Sequence, residues 1–372
     1  KQPTTSTNNH CRVALTQSWM THPVKWNKQT VVMCLVACCF VITGTFVLFY
    51  SREKDLFEVG RRHELHKESQ GVSIESAGFL WTPFSVSDPR PRILVTGGCG
   101  FVGGHLLPKL ISRYPRATIK IVDNLWRGNV SNLISDHHSP LIDTAKDLLI
   151  ADLSDEKVSD HVTKNVDLVI HLADIVAGID FVMNNQHFLF QSNMRINMNV
   201  IRSAKRNKVL DFVYTGTACS FPKHLQSSYQ KTAIPENQTY PANPESAYGW
   251  SKLMGEYELN LAKEPGIFNI GIIRFHNLYG ERINYGPNRS QALPSLIRKA
   301  IMHPNEPLTL WGSGKQYRDF LHVSDAVAGI FAILDRGMNK GVVQIGTGVA
   351  TTLEDAASEI SRLSKKILNK NV

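Results

Sequence analysis

Ile93-Leu94-Val95-Thr96-Gly97-Gly98-Cys99-Gly100-Phe101-Val102-Gly103 reads as an apolar strand that breaks into a glycine turn and re-emerges as a helix starting near Phe101. Glycines alone are weak evidence, because turns collect them for many reasons. Their position between strand and helix is what raises the signal. Without side chains, Gly97, Gly100 and Gly103 let backbone approach a pyrophosphate, whose charge then rests on the N–H groups and positive end of the helix beginning Phe101-Val102. The stretch therefore predicts the first βα unit of a dinucleotide-binding α/β fold, a doubly wound parallel sheet of Rossmann type.

Downstream, the pattern alternates as such a sheet requires. Strands are predicted at Arg92 to Thr96, Thr118 to Asp123, Leu148 to Ala151, Asp167 to Ala173, Asp211 to Tyr214 and Asn269 to Phe275. Helices are predicted at Phe101 to Ser112, His187 to Lys208, around Tyr248, Leu293 to Met302 and Asp325 to Leu334. A glycine-broken segment, Trp311-Gly312-Ser313-Gly314, lies among the last of these. Residues 276–325 and 340–372 are expected to form a smaller C-terminal region capping a substrate.

Tyr248 and Lys252 stand four apart on one predicted helix, so both side chains project from one face. A phenol with a pKa of about 10 is a poor base at neutral pH, but a neighbouring ammonium and an oxidised nicotinamide both favour phenolate. Such pairs are common on ordinary helices; downstream of a nucleotide loop this one points to hydride transfer with Tyr248 as base. Asp123 closes the second strand where it can accept from an adenosine ribose, which favours NAD over NADP. Turn chemistry is the plainer reading of that Asp, and Arg127 keeps NADP open. Asp152, in Ala151-Asp152-Leu153-Ser154, either touches the adenine or caps a helix. Thr217 can hydrogen-bond the reacting oxygen or cap its strand. Cys219 reads first as a buried thiol, and Arg318 as either a diphosphate ligand or half of a surface ion pair.

The composition is that of a globular protein, 42% hydrophobic and 20% charged, with enough apolar material for one large or two modest domains. The formal charge of +9 raises nucleic acid as a partner, but Lys and Arg are scattered and form no basic stripe with aromatics, so none is expected. No metal is expected either: the six cysteines and fourteen histidines show no zinc spacing and no HExxH pair.

Ahead of the enzyme-like region, residues 31–50 form an uncharged run from Val31 to Tyr50, long enough to cross a bilayer as a helix. Ser51-Arg52-Glu53-Lys54 follows without a cleavage signal, which favours an uncleaved single-pass anchor over a signal peptide. Residues 1–30 then read as a tail, 51–90 as a polar stem and 91–372 as the catalytic domain. Lys25 and Lys28 on one side, against Arg52, Lys54, Arg61 and Arg62 on the other, leave the orientation open.

Taken together, the glycine loop, Asp123-Asn124, Asp152-Leu153, His171-Leu172-Ala173, Tyr248 to Lys252 and Arg318-Asp319-Phe320 resemble the extended short-chain dehydrogenase/reductase superfamily, among its nucleotide-sugar epimerases and dehydratases. The resemblance implies bound NAD, with Asn124, Leu153, Leu172 and Ala173 joining the residues above at the cofactor. It also implies a nucleoside-diphosphate sugar as substrate and a homodimer. Gly178-Ile179-Asp180-Phe181-Val182, Thr217-Ala218-Cys219, Pro222 and Arg274 to Gly280 are most similar to GDP-mannose 3,5-epimerases. That likeness lifts Cys219 to a candidate acid/base and makes Asn277 and Arg289 candidate substrate ligands. It implies epimerisation through a transient 4-keto sugar, with UDP-glucuronate decarboxylase, dehydratase or an idle NAD-binding protein as alternatives. The family's second acid/base, a lysine, has no counterpart in Glu281 to Asn288. The family pattern also continues past this chain's last residues, implying a C-terminus cut short, and the anchor suggests Golgi, ER or another endomembrane.

Overall fold

The computed structural model describes residues 84–85 and 90–371, apart from 136–137, 227–232, 288 and 311. The expected tail, membrane segment and nearly all of the stem lie outside the described residues. Among the described residues no helix is long and apolar enough to cross a membrane.

Seven parallel strands form the main sheet, in the order β3-β2-β1-β4-β5-β6-β9. They are β1 (Arg92–Thr96), β2 (Thr118–Asp123), β3 (Leu148–Ile150), β4 (Leu168–His171), β5 (Asp211–Thr217), β6 (Asn269–Phe275) and β9 (Val342–Ile345). Helices α1 (Phe101–Arg113), α2 (Gln186–Arg206), α3 (Ala247–Ala262), α4 (Ala292–Met302), α5 (Val323–Ala332) and α6 (Leu353–Leu368) accompany it. Strands covered on both faces read as unbroken apolar runs, and β1 shows why. Leu94 enters the core beneath α2 and α3, while Ile93 and Val95 enter the core beneath α1 and α5.

Strand order reverses between β1 and β4, which pair directly. The chain builds β1 to β3 outward on one side and β4 to β6 on the other, so a crevice opens at the carboxyl ends of β1 and β4. Ligands of open α/β sheets bind at such a switch point. A second sheet, β10-β8-β7, joins β7 (Asn277–Tyr279), β8 (Tyr317–His322) and β10 (Ala350–Thr352). With α4 and α6 it encloses a smaller core that includes Tyr279, Leu296, Phe320 and Ile360.

Residues 276–325 and 340–372, expected to cap a substrate, divide between the two sheets. Val342–Ile345 pairs in parallel with β6 and extends the main sheet, because Val342, Val343 and Ile345 supply the apolar side chains an added strand needs. What lies over the crevice is the second sheet and its helices.

Candidate active site

The glycine loop is built by close approach. Gly97 sits at φ +67°, and a Cβ there would come within 2.8 Å of Ala173 Cα. A Cβ on Gly103 would lie 2.4 Å from Gly98 O. Only glycine permits both contacts. Gly100, the N-cap of α1, makes no side-chain cap bond, and the first turn holds no acidic residue, so the positive helix end is left to an external anion. Asp123 is 7% exposed. Its Oδ2 accepts from Cys99 N at 3.0 Å and its Oδ1 from Leu125 N at 2.8 Å. Burial raises its pKa, and these two N–H groups oppose the shift.

Asp152 does not cap the helix that follows. Asp155 does, while Asp152 Oδ1 closes a turn on Ser154 N and its Oδ2 accepts from Asn124 Nδ2. Gly97, Gly100, Phe101, Val102, Gly103, Asp123, Asn124, Asp152, Leu153, Leu172 and Ala173 all line one cavity. Its volume, about 2700 Å³, exceeds what a single drug-sized ligand fills. A dinucleotide fits these residues: an uncapped helix end for the pyrophosphate and an acid at the end of β2 for the ribose.

The same cavity is lined by Thr217, Cys219, Tyr248 and Lys252. Ser246 caps α3 through Gly249 N, and a Cβ on Gly249 would lie 2.3 Å from Cys219 O. The α3 N-terminus is thereby seated on the turn after β5. Thr217 accepts from Cys219 N at 3.2 Å, and its hydroxyl is among the influences that lower the Tyr248 pKa. Cys219 is exposed, against the burial its residue type suggested. Cys99 is the buried thiol, pushed far up by desolvation.

Burial raises the Tyr248 pKa well above that of a free phenol; Asp174 and Cys219 add to the shift, while Arg127 and the Thr217 hydrogen bond oppose it. The assistance expected from Lys252 is directed elsewhere. Its Nζ lies 2.9 Å from Asp174 Oδ2 and 2.8 Å from Thr215 O. Asp174 was not anticipated from the sequence. It is nearly fully buried, and its own pKa is raised by desolvation against the pull of Lys252. The available signal was an acid directly after the apolar strand His171-Leu172-Ala173.

Arg127, considered as a ligand for a 2'-phosphate, instead crosses to the loop after β4. Its Nη1 donates to Val176 O at 3.1 Å, and its charge is felt at Tyr248. Of the expected substrate ligands, Asn277 and Arg318 line the cavity, donating to Asp319 O and Tyr317 O respectively. Arg289 does not line it. Its guanidinium stacks 4.8 Å from the centre of Trp126 and donates to Trp126 O. Among the described residues no His, Cys, Asp and Glu cluster could hold a metal ion.

Fold and site together define a dinucleotide-dependent enzyme whose cavity opens at the switch point of a doubly wound sheet. The chain belongs to the NAD dependent epimerase/dehydratase family, whose model matches residues 93–346. It is 29% identical over 277 residues to GDP-mannose 3,5-epimerase 1 of Oryza sativa subsp. indica, covering 72% of this chain and 68% of that one. It is 28% identical over 284 residues to UDP-N-acetyl-alpha-D-glucosaminuronate decarboxylase of Bacillus cytotoxicus, covering 74% and 81%. The UDP-glucose 4-epimerase of Thermotoga maritima, solved with UDP-glucose, shares the fold at a TM-score of 0.60 and 23% identity, over 73% of this chain and 82% of that one.

Proposed function

We propose that the protein epimerises a nucleoside-diphosphate sugar through a transient 4-keto intermediate. The observation that carries this reading is the convergence of Thr217, Cys219 and Tyr248 on one cavity wall beside the cofactor residues. When bound, NAD supplies reversible hydride acceptance. Tyr248 takes the proton of the C4 hydroxyl as the C4 hydride departs, and Thr217 steadies the oxygen. The resulting ketone acidifies the neighbouring carbon. Cys219 takes a proton there, solvent water entering the open cavity in place of the missing lysine gives one to the other face, and the proton returned by Tyr248 to the C4 oxygen restores the alcohol once the hydride is back on C4. Arg318 and Asn277 are assigned to the substrate, and Arg289 acts through Trp126. The missing lysine between Glu281 and Asn288 favours one epimerisation over two.

A second reading, decarboxylation, begins with the same C4 oxidation and is supported by the likeness to the Bacillus cytotoxicus enzyme. Residues 31–50 would tether a homodimer to an endomembrane such as the Golgi or ER. Incubating nucleotide sugars with the protein and NAD in heavy water tests the proposal by mass spectrometry. Deuterium uptake without loss of mass supports epimerisation, and loss of carbon dioxide supports decarboxylation. Neither product, with NAD still bound, supports an idle nucleotide-binding protein.

A further inference from the structure

Asp174 stands between the glycine loop and the helix that carries Tyr248. Its neighbour Ala173 packs against Gly97, where a Cβ would come within 2.8 Å of Ala173 Cα. On the other side the carboxylate meets α3: Oδ2 lies 2.9 Å from Nζ of Lys252, one helical turn beyond Tyr248. Asp174 also lines the cavity, so a dinucleotide running from the glycine loop toward Tyr248 passes it. Asp123, assigned to the adenosine ribose, ends β2, on the opposite side of β1 from β4. Asp174, after β4, therefore faces the other half of the cofactor.

Lys252 does not use this carboxylate up. Its Nζ also donates to Thr215 O at 2.8 Å and lies 5.0 Å from the centre of the Tyr214 ring, and of the two carboxylate oxygens it meets Oδ2. The Asp174 side chain is 5% exposed, yet Oδ1 has no hydrogen-bond partner among the described residues. A buried polar atom left in that condition is costly unless a ligand meets it. The ion pair also keeps the acid charged, because a neutral Asp174 would leave the Lys252 ammonium buried without a counter-charge. An ionised, half-engaged carboxylate on the wall of a cofactor cavity calls for a group that brings positive charge. The nicotinamide ring is cationic when oxidised and becomes neutral on gaining a hydride, one proton with two electrons.

We propose that Asp174 faces the nicotinamide end of the bound cofactor and that its charge makes the site hold the oxidised ring more tightly than the reduced one. This rests on NAD as the cofactor and on Tyr248 marking the nicotinamide end, and it holds whichever sugar reaction follows. The bias suits a reaction that must return its cofactor oxidised, since it favours giving the hydride back over keeping it.

The test is exchange on the full-length, NAD-loaded protein. NADH is titrated in and followed by the fluorescence of bound reduced nicotinamide; ADP-ribose, which carries the pyrophosphate and both riboses without the ring, is titrated separately by calorimetry. Opposite unit charges a few ångströms apart in a protein site change an equilibrium by about tenfold or more. Asp174→Asn keeps the shape and an acceptor oxygen but removes the charge. It should make both ligands displace NAD about tenfold or more readily than from wild type, because neither carries the ring charge. A tenfold change in the NADH exchange corresponds to a rise of about 30 mV in the midpoint potential of the bound couple. A merely structural role for Asp174 weakens all three ligands alike and leaves both exchange constants unmoved, which overturns the proposal. So does a shift for ADP-ribose without one for NADH, which would show contact with the ring but no preference for its oxidised form. If Asp174→Asn does not fold, Asp174→Ser takes its place. Absence of sugar turnover would leave shifted exchange constants standing, and unshifted constants would leave the sugar chemistry standing.

Discussion

Arg274 and Glu256 form an ion pair whose side chains are 1% and 3% exposed. Arg274 Nε donates to Glu256 Oε1 at 2.9 Å, Nη2 to Oε2 at 2.6 Å and Nη1 to Thr239 Oγ1 at 2.8 Å, while its plane lies 4.6 Å from the Phe221 ring centre. Gly216 makes the space: a Cβ there would sit 2.7 Å from Glu256 Oε1. Breaking a buried pair from one side costs about 3–5 kcal/mol, whereas replacing both partners with apolar groups is often near neutral. The two sides should not be equal. Glu256→Leu strands a guanidinium that cannot neutralise, so it should sit near the top of that range. Arg274→Met strands a carboxylate whose pKa burial already raises, with Arg274 the chief opposing influence. That carboxylate can take up a proton, so the loss should be about 1–2 kcal/mol smaller. A raised folded-state pKa gives stability that is present below the unfolded value and fades as pH climbs through the folded one. The Arg274→Met deficit should therefore deepen from mildly acidic to neutral pH. Urea unfolding of wild type, both single variants and the double variant at several pH values provides the measurement. A double variant as unstable as Glu256→Leu alone, or an Arg274→Met variant worse than Glu256→Leu at pH 7, would refute the reasoning.

Tyr248→Phe should lower kcat by about 10²–10⁴-fold with NAD affinity retained; full turnover would remove Tyr248 from the chemistry. Asp174 raises the Tyr248 pKa, and the reactive phenolate grows with pH. Asp174→Asn should thus move the rising limb of the pH–rate profile toward acid, and an unmoved limb or an alkaline shift would contradict the electrostatic coupling. Gly97→Ala forces a side chain onto a φ of +67° and to within 2.8 Å of Ala173 Cα, costing about 1–2 kcal/mol for the backbone alone. Nicotinamide-dependent fluorescence titration should find NAD binding lost or severely weakened, and wild-type affinity would show that the loop tolerates the change.

The fold was legible where side-chain period and backbone need coincide. The boundaries expected for β1, β2 and β6 match those observed, because two-faced burial leaves a run of branched apolar residues with polar ends. Tyr317–His322 escaped notice: Arg318, Asp319 and His322 interrupt its apolar pattern, and Tyr317, Arg318 and Asp319 line the cavity rather than the core. The loop-to-helix glycines and the Tyr248–Lys252 spacing were readable because chain-local geometry alone places them. Asp174 and Arg127 were not. Their roles arise where the β2 and β4 loops meet across the switch point, and no sequence period encodes that meeting. Arg289, which the resemblance puts on the substrate, stacks on Trp126, a contact across a sequence separation that no local pattern encodes.

The placement of Asp174 follows from two demands that oppose each other. A buried ammonium needs a counter-charge, and Asp174 gives Lys252 one at 2.9 Å. The same carboxylate makes it harder for Tyr248 to lose its proton. Thr217 and Arg127 pull the other way, Arg127 with positive charge brought from a different loop. An oxidised nicotinamide held beside Tyr248 would add positive charge to that same side of the balance.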